Sequence, residues 1–341
     1  MNKTIVLGLP KSFSFHTNLE TNLRALGFTV VNISYTDHDF KYPSFFHKIY
    51  NFLRKVFLKD KGYKNKLKIK KYEADLRILL ETHKTYDYAL LIRPDIYPLG
   101  ILELIREKTT LMVGYQWDGL HRFPAVYATI KYFDRFFVFD EADLSYDSKL
   151  LPITNFYFDF DKEPASQSPR YSVFFVGSFV RKRMAAISGF ASLLREKGLT
   201  PKIMIYCQPA FLATEFPNEN IEYIFAHLSY EENIKILKDS KVVIDFLNHA
   251  HKGLSFRTFE ALYYNKKLIT TNADVQRYDF YNPNNIFIWD ETNSSAADLL
   301  AFMDTPYEEV AENIKAKYAF TNWISYVLDR APYEKIELTA N

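Results

Sequence analysis

Short apolar runs alternate with helical patterns twice over in this chain, and that alternation limits its folds more than any other feature. Residues 4–8 form an apolar run closed by Gly8, a helical pattern through Leu19, Leu23 and Leu26 ends at Gly27, and residues 28–33 supply a second strand. Further strands are read at 88–92, 110–114 and 136–139, with a helix at 98–108. Strands that return in the same direction need a crossover, which a helix supplies, so the pattern predicts a parallel, doubly wound α/β sheet. Residues 160–170 are polar and carry Pro164 and Pro169, which reads as a linker. The pattern then restarts, with strands at 172–176, 202–206, 221–225, 242–246, 267–270 and 286–289 and helices at 181–197, 229–238, 255–264 and 295–303.

The expected organisation is a first domain at 1–160, a second at 171–305 and a helical segment at 306–341 that could run back over the first domain. Two α/β halves imply a cleft between them, the usual place for a ligand. The length of 341 residues, with 48% hydrophobic and 25% charged, suits two globular domains and excludes disordered and collagen-like chains. No apolar run reaches the length of a membrane span.

The ten glycines narrow the ligand chemistry. No two are separated by a single residue, which excludes both the G-x-G-x-x-G dinucleotide fingerprint and a Walker A loop. A nucleotide would have to bind by another device. The lone Cys207 excludes an internal disulfide and fits a reducing, cytoplasmic compartment. No G-x-S-x-G occurs, which disfavours a serine hydrolase.

Residues 41–71 hold eleven Lys or Arg and one acid, Asp60. Within them Phe46, Ile49, Tyr50, Leu53 and Phe57 recur at helical spacing beside Arg54 and Lys55. An interfacial helix has this make-up, with aromatic groups entering the headgroup boundary and cations meeting anionic lipid. The expectation is peripheral attachment to the inner face of the cytoplasmic membrane; the alternative is a helix whose apolar face packs on its own domain. No nucleic-acid reader motif accompanies the charge, so nucleic acid is not an expected partner.

The stretch from His249 to Leu262 carries the most chemistry. It follows an apolar strand and opens a helix whose first turn holds Ser255 and Arg257. A helix N-terminus binds anions through its free N–H groups and dipole, and Lys252 and Arg257 add charge suited to a diphosphate. Glu260 lies one turn past Arg257, where a carboxylate can accept hydrogen bonds from ribose hydroxyls. The alternative is an ordinary i,i+3 Arg-Glu surface pair.

Gly253-Leu-Ser-Phe-Arg257-Thr-Phe-Glu260-Ala-Leu, followed by Lys266-Lys-Leu-Ile-Thr-Thr-Asn272, resembles the donor-domain signature of GT-B glycosyltransferases, nearest to CgeB-like and bacterial lipopolysaccharide or capsule biosynthesis transferases. Phe174-Phe-Val-Gly177-Ser178 with Arg181-Lys-Arg183, and His227-Leu-Ser-Tyr-Glu-Glu, support it. The resemblance covers residues 171–290 and is only architectural before them. It implies a GT-B-like fold of two Rossmann-like domains, acceptor side first, and a nucleotide-sugar co-substrate carrying UDP, GDP, dTDP or CMP. It places Glu260 on the ribose, Arg257 and Ser255 near the diphosphate, Gly177 and Ser178 on the first donor-domain loop with Arg181 and Arg183 after it, and His227 beside the base. Many relatives carry a Glu-x7-Glu pair, whereas eight residues before Glu260 this chain has Lys252.

In the first half, Asp118 follows the strand that ends at Gly114, and strand C-termini are where open α/β sheets place functional groups. Asp118 is the candidate catalytic base and His121 the second; an Asp before Gly119 in a turn is the structural alternative. Asp37-His-Asp39 and Asp159-Phe-Asp161 read as solvated turns, and His249-Ala-His251 has no further ligands near it in sequence, so no metal is expected. The sequence reads as a glycosyltransferase acting on a surface-glycan or lipid-linked acceptor. A sugar-nucleotide epimerase on the same fold and a non-catalytic glycan- or membrane-binding protein are the alternatives.

Overall fold

The computed structural model describes residues 2–11, 14–35, 42–57, 63–161, 163–247 and 252–336, with only the backbone at 55–57, 63–66, 68 and 69. The chain packs as two compact units, Met1–Phe137 and Val138–Asn341.

The first sheet is built from β1 (Thr4–Gly8), β2 (Thr29–Asn32), β3 (Tyr86–Ile92), β4 (Thr109–Gln116), β5 (Arg135–Val138) and β6 (Leu150–Pro152), in the order β2-β1-β3-β4-β5-β6. Its pairs β1–β2, β1–β3 and β3–β4 are parallel. The helices are α1 (Phe15–Ala25), α2 (Phe45–Phe57), α3 (Tyr63–Leu80) and α4 (Leu99–Lys108). Ile5, Val6 and Leu7 are all fully buried, as are Ala89, Leu90, Leu91 and Ile92. Successive strand residues face opposite sides, so both faces of this sheet are covered, as a parallel sheet requires. Strand β4 runs two residues beyond Gly114, to Gln116.

The second sheet contains β7 (Tyr171–Ser178), β8 (Pro201–Tyr206), β9 (Glu222–Ile224), β10 (Ser240–Asp245), β11 (Lys267–Thr270) and β12 (Ile286–Ile288). Its order is β12-β11-β10-β7-β8-β9, and every pair is parallel. Its helices are α5 (Arg181–Glu196), α6 (Tyr230–Lys238), α7 (Phe256–Tyr263) and α8 (Ala296–Asp304). The two cores follow the pleat. Val173, Phe175, Ile203, Ile205, Val242 and Ile244 join α5 and α8 on one face, while Phe174, Met204 and Val243 join α6 and α7 on the other.

The helical segment expected at 306–341 resolves into two short helices, α9 (Glu312–Lys317) and α10 (Phe320–Val327). Helix α10 packs within the second unit: Trp323 Nε1 donates to the Thr154 carbonyl at 3.0 Å, and Phe156 meets Phe320 and Trp323. These contacts tie Thr154 and Phe156 to α10, and the compact units divide at residue 137, upstream of the 160–170 stretch read as a linker. Gly27 and Gly198 stand at φ +85° and +72° just past α1 and α5, the left-handed geometry that closes a helix.

Candidate functional site

The order of the second sheet reverses between β7 and β10, because the chain leaves β7 for β8 on one side and returns to β10 on the other. Groups at the C-terminal ends of those two strands line the crevice that such a reversal opens. Two arginines staple these ends. Arg257, in the first turn of α7, donates from Nη1 to Asp245 at 2.6 Å and from Nη2 to the Val176 carbonyl at 2.6 Å. Arg183, in the first turn of α5, donates to the Phe246 carbonyl at 3.0 Å and to the Ser178 carbonyl at 3.3 Å.

Neither helix has an acidic residue in its first turn, where a carboxylate would complement the dipole. Burial, and then repulsion from Arg257, pushes the Arg183 guanidinium below its ordinary range. Two cations thus stand at two helix N-termini beside one buried carboxylate, Asp245, which Arg257 bonds and Arg183 does not, an arrangement that attracts an anion. Each guanidinium has five N–H groups, more than these contacts use, and Arg183 Nε is buried without a partner among the described residues.

Glu260 is buried in α7 and hydrogen-bonds Tyr230, while its Oε2 has no partner among the described residues. Burial raises its pKa to about 7, against the opposing attraction of Arg257. The ordinary surface pair is therefore not what forms: Arg257 turns to Asp245, and Glu260 is inside. Ser255 stands at the N-cap of α7 with its hydroxyl buried and making no capping bond. Orphaned buried polar atoms cost about 1–3 kcal/mol each, so their concentration on α7 and α5 needs an explanation.

The loop before α7 is held from both sides. The Lys252 N–H donates to Asp140 Oδ2 at 3.0 Å, and its carbonyl accepts from Asn272 Nδ2 at 2.9 Å. A Cβ on Gly253 would lie 2.5 Å from the Phe139 carbonyl oxygen, which explains the glycine there. Lys252 and Gly253 border a cavity of about 350 Å³ that also takes in Asp140, Asp274 and Tyr278. Arg277 and Glu141, bridged at 2.5 and 2.9 Å, complete its polar wall.

Other expected residues are placed less compactly. His227, past the end of β9, stacks on Tyr206, the last residue of β8, with ring centroids 3.6 Å apart, and burial lowers its pKa. Arg181 is occupied by a bidentate pair with Glu215 on the surface. Gly177 and Ser178 end β7. In the first unit, Asp118 accepts from Arg122 at 2.7 Å and lies 3.9 Å from Arg93, while His121 is exposed. Arg93 itself has a left-handed backbone, pairs with Asp95 through two 2.7 Å bonds and lies 3.3 Å over the Phe123 ring.

The carboxylates of Asp159-Phe-Asp161 serve the fold, Asp159 accepting from Thr321 and Asp161 from Tyr264 and Lys238. Asp37, Asp39, His249 and His251 lie outside the described residues, as do the side chains of Lys55 and Phe57. Among the described residues no cluster of three His, Cys, Asp or Glu is placed to hold a metal. Sequence reasoning missed Asp245, Tyr230, Tyr206, Asp140 and Arg277. Asp245 left a signal as an acid at the end of an otherwise apolar strand, and Tyr230 lies within the His227-Leu-Ser-Tyr-Glu-Glu stretch without standing out in it.

No protein-family model and no curated protein matches the sequence. Solved structures do match in fold. An α-glucosyltransferase in complex with UDP and a 13-mer DNA aligns at TM-score 0.59 and 10% identity, over 95% of this chain and 97% of the other. The catalytic domain of starch synthase IV from Arabidopsis thaliana, bound to ADP and acarbose, aligns at TM-score 0.53 and 12% identity, over 92% and 94%. The chain has the α/β, GT-B-like fold of these neighbours, two six-stranded sheets with flanking helices.

Proposed function

We propose that this chain transfers a glycosyl group from a nucleotide-activated donor to a surface-glycan acceptor (lipopolysaccharide, capsule or O-antigen) or to a lipid-linked one. The observation that carries the reading is the Oε2 of buried Glu260, without a partner among the described residues, one turn from Arg257, where the second sheet reverses. A buried carboxylate there suits the paired hydroxyls of a ribose. Arg183, Arg257, Ser255 and the N-terminus of α7 suit the diphosphate, and the Tyr206–His227 stack offers a platform for the base. Lys252 and Gly253, beside the 350 Å³ cavity, suit the donor sugar. The two neighbours in fold were solved with UDP and with ADP, ligands of the same class.

In the proposed reaction an acceptor oxygen bonds to the anomeric carbon as the bond from that carbon to the diphosphate breaks. The departing electron pair goes to the diphosphate, where the two arginines and the helix dipole stabilise it without a metal. The acceptor proton passes to Asp118, with His121 as the second candidate, if the anomeric centre inverts. The enzyme is proposed to work in the cytoplasm, at the inner face of the membrane.

Thermal-shift titration with UDP, GDP, CMP and dTDP is the direct test. One of the four is expected to raise the midpoint in wild type and to do so much less in Glu260→Gln, which keeps shape and burial. No shift with any of them, or an equal shift in the variant, refutes the donor site. Asp118→Asn is expected to lower transfer by about 10²–10⁴-fold with nucleotide binding retained.

A further inference from the structure

We infer that α2 is a lipid-docking helix that lies in the headgroup boundary of an anionic bilayer with its apolar face outward, which extends the proposed membrane-side placement to named residues. In a globular protein the apolar stripe of a surface helix faces the core. Here the face is reversed. His47, Asn51 and Arg54, at helical spacing, are the less exposed positions, and Asn51 is only 5% exposed with its Nδ2 donating to Tyr42 at 2.9 Å. Phe45, Phe46 and Phe52 are 70%, 80% and 62% exposed, with Ile49 and Leu53 beside them.

Six of the thirteen exposed large apolar side chains among the described residues fall between residues 45 and 53. A concentration of this kind marks a contact surface, whereas scattered exposed apolar groups need no explanation. The charge around it selects the occupant. Eleven cations against one acid across residues 41–71 complement a surface of dense, uniform negative charge, and Lys48, Lys70 and Lys71 are exposed on the two helices concerned. Anionic headgroups over a hydrocarbon layer supply both halves of that match. A helix of 13 residues is about 20 Å long, too short to cross a bilayer, and no helix among the described residues is long and apolar enough to do so. The geometry is that of a helix lying on the membrane.

Co-sedimentation of the full chain with phosphatidylcholine vesicles containing phosphatidylglycerol tests this. Binding is expected at low salt, weaker at high salt and weaker to phosphatidylcholine alone. It should fall at least about tenfold in each of Phe46→Asp and Phe52→Asp, whose exposed side chains leave the thermal midpoint unchanged. No binding at low salt overturns the inference, as does equal binding by the two variants. A wild-type dimer in sedimentation velocity that Phe46→Asp dissociates also overturns it, assigning the face to a second copy. Nucleotide binding is measured without vesicles, so loss of either reading is seen separately from the other.

Discussion

Arg257 reaches back from α7 to Asp245 at the end of β10, 2.6 Å away, and the same guanidinium binds the Val176 carbonyl near the end of β7. One side chain therefore joins a helix to both strands at the point where the sheet reverses. Asp245 is 4% exposed, so this pair lies largely out of reach of water.

Arg257→Ala is expected to destabilise the protein by about 3–5 kcal/mol, because it leaves a buried carboxylate without its cation. Adding Asp245→Asn to it should recover part of that loss, since the orphaned charge is then gone. Urea unfolding of the two single variants and the double variant measures the coupling; additive losses would mean that the pair does not interact.

Glu260 makes stability depend on pH. Its folded pKa of about 7 lies above the ordinary 4.5, so the folded state holds a proton that the unfolded state releases between those values. The associated stability is fully present below about pH 4.5 and lost as pH rises through 7, a change of about 3 kcal/mol. Glu260→Gln should remove this dependence and leave the variant more stable than wild type at pH 8. About 2 kcal/mol of the wild-type change falls between pH 5.5 and pH 8, where chemical unfolding checks both the sign and the size.

Two glycines in the second unit should respond oppositely to alanine. Gly253→Ala forces a Cβ against the Phe139 backbone carbonyl, and a loss of about 1–3 kcal/mol is expected, with a distorted loop before α7. Gly189 lies inside α5, where an added Cβ would meet no atom within 4 Å, so Gly189→Ala should stabilise by about 0.5–1 kcal/mol. Thermal melts of the two variants side by side test the contrast.

Trp323→Phe should cost about 1–3 kcal/mol, because it leaves the Thr154 carbonyl without the indole donor in a buried aromatic cluster. A change within a few tenths of a kcal/mol would mean that α10 is not what secures residues 154–158.

Much of the fold is legible in the sequence because parallel α/β architecture writes itself locally. Leu19 and Leu23 at helical spacing, Gly27 and Gly198 at helix ends, and the apolar strand before Gly177 are each decided by a few neighbouring residues. Strand β6 escapes a sequence reading, since three residues carry too little periodicity. The C-terminal helical segment reads as continuous because the turn between α9 and α10 leaves the apolar spacing almost intact.

The site is legible in part. Ser255, Arg257 and Glu260 announce an anion-binding helix start, but their partners lie far away in sequence. Asp245, Tyr230 and Val176 come from three other elements, and only the sheet order brings them to α7. Likewise the spacing of Phe46, Ile49 and Leu53 describes an amphipathic helix without saying which side faces inward.

The alternation of elements, the chemistry available at the start of α7 and the charge of residues 41–71 are all written locally in the chain. That Arg257 pairs with Asp245 instead of Glu260, that Glu260 is buried, and that the apolar side chains of α2 are exposed follows from the packing of distant segments. The physical reason is that helix and strand formation depend on neighbours within a few residues, whereas burial and pairing depend on which distant segments the sheet order brings into contact.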